Sequence, residues 1–434
     1  MGDKPVEREW KVESGKWRVE SGKWKVESGK WRVGSGKWKV DGGKWRVESG
    51  KWKVESGWVK MSGMMYHMHI MNTDKGNCHK AFRNILVTGG AGFIGSNFIR
   101  HVLAKTDFKG RIINFDALTY AGNPRSLDDV AATYGERYVF VHADIRDAEA
   151  VRKAFSEYDI DCVIHFAAES HVDRSIVSPD DFVQTNIVGT FNLLQSARQR
   201  GDSLLRFHHV STDEVFGSLG ATGFFSETTP YQPHSPYSAS KAASDHLVRA
   251  FHDTYGLPIT ITNCSNNYGP YQFPEKLIPL MILNALEGKP LPVYGEGLNI
   301  RDWLHVEDHC AAIWTVLTCA EDGSTYCVGG RAEMRNIDVV KRICSIVDRL
   351  APPLESGAAR ETLITHVADR LGHDQRYAID CSKLERDLGW RQAHNADTGF
   401  EETVRWYLSN MEWVDSVRSG EYRKWIERNY SKRG

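Results

Sequence analysis

Short apolar runs alternate with helical segments through residues 84–212. The runs have the length of buried strands and lie at 84–88, 111–116, 138–142, 161–166 and 207–211. A glycine-rich turn joins the first run to a helix-like segment that starts at Ser96. Because strands that alternate with helices at this spacing form parallel sheets, the pattern predicts an α/β fold with a Rossmann-type doubly wound parallel sheet. We expect a smaller mixed α/β lobe towards the C-terminus, which binds the substrate.

The first 64 residues follow another pattern. A unit W-[KR]-V-E-S-G-K repeats every seven residues, with tryptophans at Trp10, Trp17, Trp24, Trp31, Trp38, Trp45, Trp52 and, one residue early, Trp58. A coiled coil is disfavoured, because each glycine costs a helix about 1 kcal/mol relative to alanine. The alternation of Trp and Val before Ser-Gly is typical of short strands joined by turns.

These patterns divide the chain into three parts. We interpret residues 1–70 as a disordered or misannotated extension that takes no part in catalysis; a real interaction module is the alternative. Methionines between Met61 and Met71 offer other starts of translation. Residues 83–265 should form the dinucleotide-binding domain with the catalytic residues. Residues 266–430 should mainly form the substrate-binding lobe, with some chain returning to the Rossmann sheet.

Composition narrows the function classes. The chain has 55 Lys and Arg against 56 Asp and Glu, a net charge of −1, so neither nucleic acid nor a membrane is an expected partner. No apolar run approaches the roughly 20 residues that cross a bilayer, and the N-terminus lacks the apolar core of a signal peptide. We therefore expect a cytoplasmic protein. The eight cysteines are scattered, which predicts reduced thiols and no metal site.

The turn after the first strand has the residues of a dinucleotide site. Gly89, Gly92 and Gly95 would let the backbone approach a pyrophosphate at a helix N-terminus. Asp116 ends the second strand, where a carboxylate binds ribose hydroxyls and repels a 2′-phosphate. This arrangement favours NAD over NADP.

Two further pairs of residues indicate chemistry. Tyr237 and Lys241 share one helix face, and a lysine ammonium together with a nicotinamide cation would favour the tyrosine phenolate as a base. Asp213 and Glu214 are adjacent carboxyl groups that can hold different protonation states, one as a general acid and one as a base. Dehydrogenation alone needs no such pair, so the two carboxyl groups indicate an elimination.

Together these motifs resemble the dTDP-glucose 4,6-dehydratase family of extended short-chain dehydrogenases. The resemblance covers residues 83–430 and rests on segments 89–95, 167–174 (A-A-E-S-H-V-D-R), 211–217 (S-T-D-E-V-F-G), 237–241 (Y-S-A-S-K), 264–270 (C-S-N-N-Y-G-P), 273–279, 299–303, 336–338 and 368–374. It implies NAD as cofactor, a homodimer and a role in deoxysugar biosynthesis. Three positions depart from the family: Phe216 replaces Tyr, Ala117 replaces Lys and Leu371 replaces Pro.

The resemblance also implies a role for individual residues. Tyr237, with Lys241 and Thr212, would assist oxidation of the glucosyl C4 hydroxyl; Glu214 would remove the C5 proton and Asp213 would protonate the departing C6 hydroxyl. The cofactor would contact Gly89, Gly92, Phe93, Ile94, Gly95, Asp116, Thr119, Asp144, Ile145, Ala167, Ala168, Ser170, Thr185, Tyr237, Lys241 and Asn267. The nucleotide sugar would contact Ser170, Thr212, Asn266, Lys276, Leu277, Pro292, Tyr294, Arg301, Asn336, Arg370 and His373.

Other functions remain open at this point. A UDP- or CDP-sugar 4,6-dehydratase would need the same chemistry, whereas a GDP-mannose dehydratase would use NADP. A nucleotide-sugar 4-epimerase shares the fold, Tyr237 and Lys241 but has no use for Asp213 and Glu214. A scaffold that only senses NAD would not need the complete catalytic set. For Arg301, the alternative to a diphosphate contact is a surface ion pair with Asp302 or Glu307.

Overall fold

The computed structural model describes residues 80–369 and 373–418, and the backbone of five strands within 10–68. The chain divides into two compact units, Met1–Cys78 and His79–Gly434. Each unit is described by itself. Arg370, which was predicted to contact the substrate, and its neighbour Leu371 lie outside the described residues.

The first unit contains one antiparallel sheet in which strands pair in chain order: β1 (Trp10–Glu20), β2 (Lys23–Val33), β3 (Gly36–Glu48), β4 (Lys51–Met61) and β5 (Met64–Met68). The register sets Trp10 opposite Val33. The strands are longer than one repeat, so Ser14 and Gly15 lie within β1 where the sequence indicated a turn, next to an irregularity in the register. The interpretation of residues 1–70 as an extension without a catalytic role stays a prediction.

The second unit is built on a seven-stranded sheet in which all strands are parallel. Its order is β15-β11-β10-β9-β6-β7-β8. The strands are β6 (Asn84–Thr88), β7 (Arg111–Asp116), β8 (Tyr138–His142), β9 (Cys162–His165), β10 (Arg206–Thr212), β11 (Ile259–Cys264) and β15 (Thr325–Val328). The predicted fold class is confirmed, and the five predicted strands are β6 to β10.

Helices cover both faces of this sheet. On one face Phe98 and Ile99 of α1 and Ile313 of α9 join an apolar cluster, and on the other Leu193 of α6 and Val248 of α7 join a second one. The helices of this part are α1 (Phe93–Lys105), α2 (Asp128–Tyr134), α3 (Ala148–Glu157), α4 (Val172–Val177), α5 (Pro179–Phe182), α6 (Thr190–Gln199), α7 (Pro236–Tyr255), α9 (Val306–Cys319) and α11 (Ser382–Leu388). A π-helical segment, Val183–Gly189, leads into α6.

Small sheets and four helices form the mixed C-terminal lobe. One sheet has the order β12-β14-β16 and the other pairs β13 with β17. The elements are β12 (Asn266–Tyr268), β13 (Leu291–Tyr294), β14 (Ile300–His305), β16 (Glu333–Arg335), β17 (Ile364–Val367), α8 (Leu277–Leu286), α10 (Asn336–Leu350), α12 (Ala396–Ser409) and α13 (Met411–Val417). The chain returns to the large sheet at β15. The boundary between residues 265 and 266 stays a prediction.

Within the described residues, no helix has both the length and the apolar character that crossing a membrane requires. The seven cysteines of that part, from Cys162 to Cys381, are free thiols.

One group of three side chains with possible metal-ligand atoms occurs in the described part, and the sequence did not reveal it. His305, His394 and Glu402 bring such atoms within 4.8 Å of one another. The two imidazole rings stack with centroids 3.9 Å apart and planes at 27°, so their in-plane lone pairs do not converge on one ion. His394 instead lies 3.1 Å from an oxygen of Asp308 and 3.4 Å from one of Glu402, which suits ion pairing.

Candidate active site

A cavity of about 780 Å³ opens at the carboxyl ends of β6, β7, β9 and β10. In doubly wound sheets this end carries the ligand, because helix N-termini and loops meet there. All sixteen residues that we expected at the cofactor line the cavity, and so do Thr212, Asp213 and Glu214. The structure thus brings the two predicted groups into one site, and their individual roles stay predictions.

The glycine turn forms one wall and has no room for side chains. Gly89 has φ +71°, and a Cβ there would lie 2.7 Å from the backbone nitrogen of Ala167. A Cβ on Gly95 would lie 2.3 Å from the carbonyl oxygen of Gly89. Gly92 is the N-cap of α1 and contributes no capping side chain, and the first turn of α1 faces the cavity. This wall fits an anionic diphosphate.

Asp116 lies at the end of β7 with only 8% of its surface exposed. Its two carboxylate oxygens accept hydrogen bonds from the backbone N–H groups of Ala91 (2.9 Å) and Leu118 (2.8 Å). Burial raises the pKa of Asp116, and these two hydrogen bonds oppose the rise. Because a carboxylate offers about four lone-pair sites, Asp116 retains acceptors for ribose hydroxyls. The residues present therefore fit NAD.

Asp213 and Glu214, the predicted acid–base pair, lie where β10 ends. Thr212 is the N-cap of a 3₁₀ turn, Asp213–Phe216, and its hydroxyl accepts from the backbone N–H of Glu214 at 3.2 Å. The same hydroxyl donates to Asp213 at 3.3 Å. Burial, together with the charges of Glu214 and Asp302, raises the pKa of Asp213 well above its ordinary value. Asp213 can therefore hold a proton and act as a general acid.

Tyr237 and Lys241 face the cavity from α7, which begins with a capping box of Ser235 and Ser238. The Lys241 ammonium donates to the carbonyl of Val210 at 2.8 Å. Burial and the charge of Glu214 raise the pKa of Tyr237, whereas a hydrogen bond with Thr212 lowers it. A Tyr237 phenolate therefore needs nearby positive charge. The prediction from the sequence assigned part of this charge to the nicotinamide cation.

The residues predicted to bind substrate fall into two sets. Ser170, Thr212, Asn266 and Lys276 line the cavity, and the Lys276 ammonium donates to the Ser170 carbonyl at 3.3 Å. The second set lies in the C-terminal lobe away from the cavity wall and comprises Leu277, Pro292, Tyr294, Arg301, Asn336 and His373.

Tyr294 connects the two sets. Its hydroxyl donates to Asp173 of the cavity wall at 3.2 Å, and its ring lies 6.2 Å from that of His373. Tyr294 and His373 therefore lie beside the cavity, although they are not part of its wall.

Arg301 is buried, with 5% of its surface exposed. Its guanidinium donates to the carbonyl of Asp374 at 2.9 Å and lies 4.2 Å from the centre of the Tyr377 ring. The surface ion pair considered as the alternative is wrong in its premise, because Arg301 is not at the surface.

Tyr120, Arg174 and Glu275 are among the cavity residues that were not predicted from the sequence, and they lie close together. The Arg174 guanidinium lies 3.6 Å from the centre of the Tyr120 ring and 3.4 Å from a Glu275 oxygen. Glu275 is 4% exposed, and burial raises its pKa. The sequence could have indicated Arg174 and Glu275 as site residues, because both lie in segments on which the family resemblance rests.

Comparisons with known proteins identify the family of this chain. The family model for GDP-mannose 4,6-dehydratases matches residues 86–403. A dTDP-glucose 4,6-dehydratase of Escherichia coli K12 is 56% identical over 365 residues, which cover 80% of this chain and 99% of the relative. The chain belongs to the dTDP-glucose 4,6-dehydratase family. A relative of that name from Neisseria meningitidis is 57% identical over 350 residues, which cover 79% of this chain and 98% of the relative.

Solved structures of the dTDP-glucose 4,6-dehydratase family share the fold. The enzyme of Streptomyces venezuelae, with NAD and TYD bound, aligns with a TM-score of 0.72 and 45% identity over 77% of this chain and 99% of its own. A UDP-glucose 4-epimerase of Thermus thermophilus, also with NAD, reaches a TM-score of 0.67 at 28% identity over 75% and 99%. Both kinds of enzyme therefore have this fold, and the fold alone does not distinguish between them.

Proposed function

We propose that this protein catalyses the NAD-dependent dehydration of dTDP-glucose to dTDP-4-keto-6-deoxyglucose. The observation that carries the proposal is the pair Asp213 and Glu214, which shares one cavity with Tyr237, Lys241 and the glycine turn. An epimerase needs the last three features but not a buried, protonated carboxyl group beside a second carboxyl. The names of relatives that are 56% and 57% identical support the same substrate.

Each catalytic group has a position that suits one step. Tyr237, with Thr212 at its hydroxyl and Lys241 one helical turn away, takes the proton of the C4 hydroxyl. Glu214 removes the C5 proton, which the ketone at C4 makes acidic. Asp213 gives its proton to the C6 hydroxyl, so that water can leave. The glycine turn and Asp116 would hold NAD, which would accept the hydride from C4 and supply it to C6. Glu214 gives the proton back to C5, so that no external NAD is consumed.

The proposal is tested with purified protein and dTDP-glucose, without added NAD. We expect mass spectrometry to show a product that has lost one water, and a Glu214→Gln variant to stall. Glu136→Gln, at an exposed position, is the matched control and should behave as the wild type. A product of unchanged mass with galacto configuration would instead establish a 4-epimerase. Faster turnover of UDP- or CDP-glucose would mean that the substrate carries that nucleotide and not dTDP.

The assembly and the location are proposed more briefly. A homodimer is supported by exposed apolar side chains on and beside the helices of the cofactor domain, namely Val183 (44% exposed), Val188 (37%), Phe191 (40%) and Tyr255 (49%). Such a patch usually marks an interface. Light scattering that finds only monomers would contradict it. The free thiols suit the cytoplasm, where thiols stay reduced; fractionation of cells tests this.

A further inference from the structure

A carboxylate with no assigned role lies behind the catalytic lysine. Asp245 is fully buried on α7, one helical turn after Lys241. Its Oδ2 accepts hydrogen bonds from Ser211 (2.9 Å), Tyr231 (2.7 Å) and Asn263 (3.2 Å). These donors come from β10, the loop before α7, and β11. Asp245 thus ties the helix that carries Tyr237 and Lys241 to the strand that ends in Thr212.

Lys241 and Asp245 are four residues apart on α7, so their side chains lie on the same face of this helix. Other titratable groups near Lys241 are neutral. On β9 and β10, burial lowers the pKa values of His165 and His209, so that both rings are neutral near neutral pH. On β11, burial raises the pKa of Cys264 to about 12, so that this thiol is also neutral. Burial raises the pKa of Tyr237 on α7 as well.

Asp245 itself remains ionised despite its burial. Nε2 of His209 lies 3.1 Å from its Oδ1. This contact and the charge of Lys241 hold the pKa of Asp245 below its ordinary value. Arg249, one turn further along α7, donates to the Tyr231 hydroxyl at 2.7 Å and adds positive charge on the far side.

We propose that Asp245 is a positioning residue of the dehydration, whose buried carboxylate keeps Lys241 protonated and fixes α7 against the ends of β10 and β11. The consequence of this inference for catalysis rests on the proposed function. Burial opposes the Lys241 ammonium, and Asp245 is the largest of the charges that favour it. Without this carboxylate, Lys241 loses its proton at lower pH, and Tyr237 then lacks the cation that favours its phenolate.

The test compares Asp245→Asn with Asp161→Asn. Asp161 is a buried carboxylate that accepts backbone hydrogen bonds from Arg83 and Asn84 at the start of β6, outside the cavity. Thermal unfolding of each protein, with its bound cofactor, is followed from neutral to alkaline pH. Both variants should unfold at lower temperature than the wild type at neutral pH.

Only the deficit of Asp245→Asn should shrink as the pH rises. In that variant Lys241 has a lower pKa in the folded state, so the folded state binds fewer protons and stability increases more steeply with pH than in the wild type. A deficit that stays constant with pH, as in Asp161→Asn, would overturn the proposal.

Two further measurements distinguish a failure of this proposal from a failure of the variant to fold and from a failure of the proposed function. If Asp245→Asn does not fold, Lys241→Met in the same background should restore a folded protein, because both buried charges are then gone; failure of this double variant rejects the pairing. With dTDP-glucose, the alkaline limb of the kcat profile should move about one pH unit lower in Asp245→Asn. If the wild type does not convert dTDP-glucose, the proposed function fails, whereas the unfolding experiment still decides on the pairing.

Discussion

At the scale of single residues, the neighbouring carboxyl groups of Asp213 and Glu214 lie in different environments. Asp213 points into the protein with 1% of its surface exposed, whereas Glu214 is half-buried. Burial raises the pKa of Asp213 well above its ordinary value, and the negative charge of Glu214 adds to this effect. This difference in burial suits the proposed roles, in which Asp213 is the general acid.

An Asp213→Asn variant should be less active and more stable. The rate of turnover should fall by on the order of 10² to 10⁴, because a proton donor is lost. Since the folded-state pKa of Asp213 is raised, its contribution to stability is fully present below the unfolded pKa, near 4, and is lost as pH rises through the folded pKa. Asn does not titrate, so the variant should unfold at a higher temperature at neutral pH, with the gap closing towards pH ~4.

Calorimetry at several pH values, together with the mass-spectrometric assay, checks both halves of this prediction. Unchanged turnover would mean that Asp213 has no catalytic role. A variant that is less stable than the wild type at neutral pH would mean that Asp213 is ionised in the folded protein.

Residues with a local signal could be predicted from the sequence, and residues defined by distant contacts could not. Asp213, Glu214, Tyr237 and Lys241 have short spacings and known chemistry, and the structure brings them together. Asp245 looks like any polar residue of an amphipathic helix. Its burial depends on Ser211 and Asn263, which lie on separate strands.

At the scale of elements, the turn between β6 and α1 depends on the absence of side chains. Gly95→Ala places a Cβ 2.3 Å from the Gly89 carbonyl, and only backbone movement can relieve that contact. We expect this variant to be purified with much less bound NAD than the wild type, measured as NAD released on denaturation. Gly220→Ala is the control, because nothing lies within 4 Å of a Cβ there. Equal NAD in both variants would contradict the assignment of this turn.

The strands also show what a pattern can and cannot reveal. The strands β6, β7, β9 and β10 are buried along nearly all of their length, whereas the edge strand β8 is partly exposed. The sequence predicted all five strands within about one residue at each end. β11 carries two buried threonines and an asparagine, which obscured it. β12 and β16 have three residues each and pair with β14, so no periodicity marks them.

At the scale of the whole molecule, the aligned relatives correspond to the second unit. The alignment with the Escherichia coli relative includes 99% of that relative but only 80% of this chain. The match to the family model begins at residue 86. We therefore expect deletion of residues 1–70 to leave kcat and KM for dTDP-glucose within about twofold of the full chain, a change below roughly 0.5 kcal/mol. Steady-state kinetics of both proteins provide the check, and a large loss of turnover would make the repeat a functional part.

The position of β15 has a consequence for how the protein is made. This strand lies at one edge of the large sheet and pairs with β11. Between β11 and β15 the chain forms three strands and two helices, and most of these elements belong to the C-terminal lobe. During synthesis β11 therefore leaves the ribosome well before its partner, with one row of backbone donors and acceptors unpaired. The cofactor domain cannot complete its sheet until much of the substrate lobe has been translated. Maturation of the two lobes is thus coupled in time, and the nascent chain passes through a stage in which an open edge needs protection from other chains.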